Sequence, residues 1–390
     1  MFTQGLTVLL FVLIVLNVNA QSEYESVLQQ VEANNTTLAA LRQQTDAQKI
    51  ANRTGLMPDN PEVDFSHLWG PENTMDFSVT QTFDFPTAYG HRRKISALQN
   101  ENVEHLYKTQ RIEVLLSAKQ KCIELVYYNI LAKEYAARLK NAEFIADAYK
   151  TKLEKGETNI LEHNKAQLSL ASMQVEVAQI EAERIDLLAQ LKLLNGGKDI
   201  VFSAGNYPAN ALPSNFEEWY AKAESENPEL QAVRKQIEID KQQIELNRAM
   251  GLPKFSAGYI GEITRDDFSH GVTVGLSIPL WENKNRVSEA RAQARATEFA
   301  LKDSQAQLYS RLQSQYLKAS FLQQNALKLR KSLTENDNGP LLKKALEAGE
   351  ISLLIYLQEI EFFYDAMDKV LETERDSESA AAEFWAAGLY

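Results

Sequence analysis

The sequence predicts a mainly α fold with a small β part, built from one unit used twice: a helix, a strand hairpin and a long helical hairpin. Three observations point to it. An alternating apolar/polar run ends at Phe85-Pro86 and again at Ile278-Pro279, and a very long helical pattern follows each. Pro86 and Pro279 stand 193 residues apart, and the pairs Gly156-Glu157 and Gly349-Glu350 are separated by the same 193. Agreement between points so distant sets the register of a duplication.

Residues 1–20 read as a secretory signal peptide: Leu6 to Leu16 is apolar, and Val18-Asn19-Ala20 places small residues at a cleavage site. That run is shorter than the roughly 20 residues a spanning helix needs. Gln21 follows, so no cysteine stands there for lipid attachment. Cys122 is the single cysteine, which excludes an intrachain disulfide and leaves stability to packing. A formal charge of -12, spread over helical stretches rich in Glu, Lys and Gln, argues against a nucleic-acid partner.

The first repeat covers residues 21–194. Ser22 to Arg53 carries Val27, Val31, Leu38, Leu41 and Ala47 at helical spacing, and Gly55 and Pro58 end it. Strands are expected at about 62–69 and 75–85, then a helix from about Tyr89 to Lys155, a tip near 156 and a returning helix from Thr158 to Leu194. Residues 195–215, with Gly196-Gly197, Gly205, Pro208 and Pro213, read as a linker. The second repeat, residues 216–390, gives a helix from Phe216 to Met250, strands at about 255–263 and 271–280, a helix from Asn283 to Ala348, a tip near 349 and a return from Ile351. Each long helix would measure on the order of 100 Å at ~1.5 Å per residue. Their heptad steps, such as Leu116, Ile123 and Ile130, or Leu161, Leu168 and Val175, suit coiled-coil packing.

The strands alternate, because successive strand side chains point to opposite faces. Val272, Val274, Leu276, Ile278 and Leu280 share one face, and Thr273, Gly275 and Ser277 the other. Such a pattern fits a half-buried sheet in a soluble domain or a membrane barrel. Strand length and the aromatic residues near the strand ends, Phe65, Trp69, Tyr89, Phe268 and Trp281, favour the bilayer. Four strands cannot stand there alone, since open edges leave N–H and C=O groups unpaired in hydrocarbon. A barrel needs at least about eight strands, so the chain must assemble, and three copies would supply twelve. Pro86 and Pro279 then mark the strand-to-helix junctions.

These residues resemble the TolC family of outer-membrane efflux channels over nearly the whole chain beyond residue 20. Asn227-Pro228-Glu229-Leu230, and more loosely Asn35 to Leu38, open the two units; strands, a long helix, a Gly tip and a helix ending near Leu191 or Phe384 follow. Pro58-Asp59-Asn60-Pro61-Glu62-Val63 is similar to the entry to the first strand in the heavy-metal, CzcC-like branch. The resemblance implies a homotrimeric α-barrel crossing the periplasm below a 12-stranded transmembrane β-barrel in the outer membrane of a Gram-negative bacterium. It implies a passive exit duct that docks through Gly156, Glu157, Gly349 and Glu350 onto a periplasmic adaptor working with an inner-membrane pump. Family members close the periplasmic mouth with acidic residues about six and nine positions after the tip glycine. Glu162 matches the first position, whereas Lys165, Ile355 and Gln358 depart from the pattern. Glu162 is therefore either one ring of a gate or an ordinary solvated glutamate.

No enzyme or cofactor motif is recognisable. His67, His91, His105, His163 and His270 are scattered, with no HExxH, close Cys/His cluster, GxSxG or phosphate-binding loop around them. Two other readings fit the same pattern: the outer-membrane duct of a type I protein secretion system, or, in a different class, a soluble periplasmic coiled-coil adaptor.

Overall fold

The computed structural model describes residues 23–70, 73–208 and 211–386; the expected signal peptide lies outside them. Thirteen elements follow in order among the described residues: α1 (23–34), α2 (Thr36–Ala51), β1 (Glu62–Leu68), β2 (Thr74–Phe83), α3 (Pro86–Glu154), α4 (Ile160–Leu194), α5 (Phe216–Glu226), α6 (Pro228–Ala249), β3 (Lys254–Ile263), β4 (Phe268–Ser277), α7 (Arg286–Glu335), α8 (Gly339–Glu347) and α9 (Leu353–Ala386). The chain divides into two compact units, and each draws on both halves of the sequence. Of the described residues, one takes those up to Ala39, Gln110–Ala223 and those from Tyr309; the other takes Ala40–Thr109 and Glu224–Leu308.

The first unit is helical. Its main core joins Tyr24, Val27 and Val31 of α1 to Ala118, Cys122, Ile123, Leu125 and Val126 of α3 and to Leu187 and Leu191 of α4. Burying each Val, Leu or Ile in it contributes about 1.5–3 kcal/mol. Ile200, Phe202 and Ala204 are buried in the same core while Val201 between them is exposed, so the segment read as a linker packs by strand-like alternation. Its Gly and Pro content hid that alternation.

A second tie in this unit joins the two halves of the sequence. Arg138 of α3 is buried and donates to both carboxylate oxygens of Asp368 on α9, at 2.9 and 2.5 Å. The rings of Tyr135 and Tyr364 lie 4.4 Å from the guanidinium carbon, and the Tyr135 hydroxyl donates to Asp368 at 2.8 Å. Burial, and then the Asp368 carboxylate, raise the Tyr135 pKa; for Arg138 burial pulls down, and the hydrogen bond and charge of Asp368, with the neighbouring tyrosines, carry the pKa above its usual value. The guanidinium therefore stays charged although it is out of water.

The second unit holds the sheet. β1, β2, β3 and β4 pair in that order, all antiparallel, so β2 of the first repeat bonds directly to β3 of the second. Beneath the strands, Ile95 and Leu98 of α3 pack on Ile239 of α6. Asp240 is buried without a cation and is satisfied by the Thr297 hydroxyl at 2.6 Å and the Gln236 amide at 2.8 Å.

Several expected helices break where an Asn or Pro competes with the helical ladder. The Asn35 side chain accepts from Leu38 N–H and separates α1 from α2; Asn227 does the same for Leu230 and separates α5 from α6. The helix expected from Asn283 to Ala348 starts later, at Arg286, and stops at Glu335. Asn336-Asp337-Asn338-Gly339-Pro340 ends it, and α8 begins at Gly339 with Pro340 in its first turn. Proline has no N–H to donate and crowds the carbonyl four residues back, so it suits a helix start and not an interior.

Candidate membrane face and helical tips

The register separates the sheet into two chemically different faces. Directly paired residues share a face, which places Val63 and Phe65 beside Phe77 and Val79, then Tyr259 and Ala257, then Val272 and Val274. Phe83, Phe255 and Leu276 extend this face at one end, and Met75, Ile263 and Phe268 at the other. Gln81, His67 and His270 are its polar members. The opposite face carries Asp64, Ser66, Ser78, Asp76, Thr80, Glu262 and Thr273, with Ile260 the main apolar exception.

The apolar face is uncovered. Phe65 is 74% exposed, and Val272 and Val274 are each 82% exposed. An apolar patch of this extent has no place in water and marks an interaction site. Around the β1–β2 and β3–β4 turns the aromatic rings cluster: His67 meets Trp69 edge-on at 4.8 Å, and His270 stacks with Phe268 at 5.4 Å and Tyr259 at 5.8 Å. On the polar face the Ser66 hydroxyl donates to Asp76 at 3.3 Å, and that of Ser78 to Asp64 at 3.4 Å. Glu262 joins Asp76 across the β2–β3 pair; it falls in phase with the alternation of β3, which is the signal for it in the sequence. Among the described residues no helix is long and apolar enough to cross a membrane, which says nothing of a β-barrel.

The two tip glycines have the same geometry. Gly156 has φ 73° and Gly349 φ 74°, in the left-handed region. Gly156 N–H bonds to Leu153 O and Glu157 N–H to Lys152 O; Gly349 N–H bonds to Leu346 O and Glu350 N–H to Ala345 O. Both are Schellman turns, which satisfy the last carbonyls of a helix and require the conformation glycine adopts without strain. Below them Ile145, Tyr149, Ala166, Leu353, Tyr356 and Ile360 form a common core, with the Tyr356 hydroxyl accepting from Asn141 at 2.8 Å.

Glu162 is half-buried at the start of α4. Asn159 caps this helix, accepting from Leu161 and Glu162 N–H at 3.0 Å each, and the Glu162 carboxylate accepts from the Thr158 hydroxyl. A carboxylate there meets the positive end of the helix dipole. The prolines differ in setting. Pro86 is the first residue of α3, whereas Pro279 lies in a link that runs from the end of β4 at Ser277 to Arg286. Among the described residues no three His, Cys, Asp or Glu side chains gather as metal ligands.

This is the fold of outer-membrane channels. The CusC channel structure superposes with a TM-score of 0.78 at 14% identity, covering 94% of this chain and 92% of that one. VceC from Vibrio cholerae gives 0.75 at 12% identity, covering 95% and 97%, and CmeC from Campylobacter jejuni 0.74 at 15%, covering 94% and 85%. Residues 219–383 match the model of the family described as outer membrane efflux protein, so the resemblance drawn from the duplicated sequence holds across the second repeat. By sequence alone, no curated protein matches the chain.

Proposed function

We propose that this protein is the outer-membrane exit duct of a tripartite efflux system, a passive channel of three copies whose sheets close into a 12-stranded barrel. The exposed apolar face shared by all four strands carries the proposal, because bilayer hydrocarbon covers such a face on every strand at once. β1 and β4 are open edges of a four-stranded sheet, and pairing β4 of one copy with β1 of the next removes them all. The polar face then lines the lumen. A second uncovered seam, Leu161, Leu168 and Val175 along α4, is 75%, 71% and 54% exposed in the single chain and suits helix packing between copies.

Gly156, Glu157, Gly349 and Glu350 are the docking tips for a periplasmic adaptor, which couples the duct to an inner-membrane pump. Fractionation tests the reading: the protein is expected to sediment with outer membranes, to need detergent for extraction and to crosslink as a trimer. Extraction by salt alone would overturn it in favour of a soluble adaptor. Loss of a secreted protein on deletion, without sensitivity to metals or drugs, would assign the duct to protein secretion instead.

Glu162 is the candidate gate residue. Glu162→Ala is expected to raise single-channel conductance in planar bilayers. Unchanged conductance with a lower unfolding midpoint would assign the carboxylate to the α4 terminus alone.

A further inference from the structure

The β4–α7 link is longer than its counterpart in the first repeat and has its own chemistry. β2 passes into α3 within two residues, Asp84 and Phe85, whereas Ile278 to Asn285 separate β4 from α7. Ile278, Leu280 and Trp281 are 61%, 73% and 70% exposed, and Lys284 and Arg286 follow at once, both exposed. The link is nonetheless held firmly. The Asn283 amide donates to Asn247 O at the end of α6, and the Asn247 amide donates to Arg286 O at 3.1 Å. Asn285 takes the left-handed turn at φ 70°. A Cβ on Gly251 would come 2.8 Å from the Asn283 amide nitrogen, so a larger residue there would push that side chain aside.

Charge separates the two ends of the sheet. At the helix end Arg93 and Lys94 of α3 are exposed, and with Lys284 and Arg286 they make no ion pair among the described residues. Their neighbours Arg92 and Lys254 are engaged: Arg92 with Asp84 at 2.5 Å, Lys254 with Asp84 at 3.9 Å and Glu282 at 3.7 Å. The same second turn of α3 is pinned to α6 through His91 on Gln242 at 3.2 Å and Arg92 on Met250 at 3.4 Å. At the opposite end, the β3–β4 turn carries Arg265 with Asp266 and Asp267 and has no excess of cations.

A loop hydrogen-bonded to the end of α6 that presents two aliphatic side chains and a tryptophan at the rim of an uncovered apolar face, with exposed cations directly beside them, matches a membrane interface. Tryptophan settles at headgroup level, long basic side chains reach phosphates from an apolar bed, and cations gain from an anionic leaflet. We infer that the β4–α7 link, with Arg93 and Lys94 of α3, is an interface anchor that binds the phosphate headgroups of anionic phospholipid in the leaflet on the helix side. The inference rests on the channel reading above, since it needs the sheet in a bilayer.

The test reconstitutes the full-length assembled protein into vesicles of phosphatidylcholine alone and of phosphatidylcholine with phosphatidylglycerol, then measures retained lipid by native mass spectrometry. Wild type is expected to enter both and to retain phosphatidylglycerol preferentially. Lys284→Gln combined with Arg286→Gln should weaken that retention roughly thirtyfold, at about 1 kcal/mol per cation and tenfold per 1.4 kcal/mol. The emission of Trp281, identified by difference from Trp281→Phe, should shift to the blue on insertion. Entry into both vesicles with equal retention of the two lipids, or undiminished retention in the double variant, overturns the anchor and leaves the channel standing. Failure to enter either vesicle overturns both.

Discussion

The two helical hairpins end alike and begin differently. α3 ends at Glu154 and α8 at Glu347, 193 residues apart, and both run into a Gly-Glu Schellman turn with matching hydrogen bonds. Between junction and tip, however, the first repeat has one unbroken helix of 69 residues. The second divides its chain into an eight-residue link, a helix of 50 residues, a break at residues 336–338 and a helix of nine. The difference shows that capping chemistry at the ends sets where each hairpin turns, while the interior accommodates a break as long as the total length of chain is kept.

The sheet is where the repeats should behave most alike, and it gives the largest expected effect. Val79→Arg in the first repeat and Val274→Arg in the second should each cost about 2–4 kcal/mol near the bilayer midplane and deplete the outer-membrane fraction. Thr273→Arg, one residue away on the other face, should insert at close to the wild-type level. A large difference between the two valine variants would mean that the strands of the two repeats do not share one lipid-facing surface.

Next comes the seam between repeats. Arg138→Ala leaves Asp368 with only the Tyr135 hydroxyl and no cation, and should lower stability by about 2–4 kcal/mol in chemical denaturation, since Arg138 is buried although Asp368 is partly exposed. Arg330 binds Glu374 with a similar fork at 2.7 and 2.5 Å but lies within the second hairpin and is 40% exposed. Arg330→Ala should cost about 1 kcal/mol or less. Equal losses would show that joining the repeats adds nothing beyond an ordinary pair.

The tips follow. Gly156→Val and Gly349→Val each force a β-branched residue to positive φ and should cost about 1–2 kcal/mol, while trimers persist on crosslinking and export falls. If only one variant impairs export, the tip that α8 precedes and the tip that α3 precedes are not equivalent in function. The smallest effect is expected for Pro340→Ala, within about 1 kcal/mol. It should extend α7 towards α8 and slow amide exchange at residues 336–341; unchanged exchange would place the cause of the break in Asn336, Asp337 and Asn338 instead.

Most of this was legible where the signal is local. The Gly-to-Gly spacing coincides with the two Schellman turns and Pro86 opens α3, whereas Pro279 falls in the link before α7; the Asn-Pro at 227–228 was visible as a feature of its segment. The break at Asn336-Asp337-Asn338-Gly339-Pro340 was equally local and was obscured by the leucine heptads running across it. Ile200, Phe202 and Ala204 were lost behind the glycines and prolines around them. The Arg138–Asp368 pair lies 230 residues apart in sequence and leaves no periodic trace. Glu162 was matched by its distance from the tip glycine; its bond to the Thr158 hydroxyl depends on how the chain turns before Asn159.

By itself the sequence determined the period of each segment, the duplication and the residues at which the chain turns, because side-chain spacing, proline and glycine act within a few residues. Only the tertiary structure decided that β2 pairs with β3 across the repeats, that one sheet face is apolar from Val63 to Leu276, and that both halves contribute to each compact unit. Those outcomes depend on contacts between residues far apart in the chain, where closing the intervening loop costs entropy that only the assembled sheet and core offset.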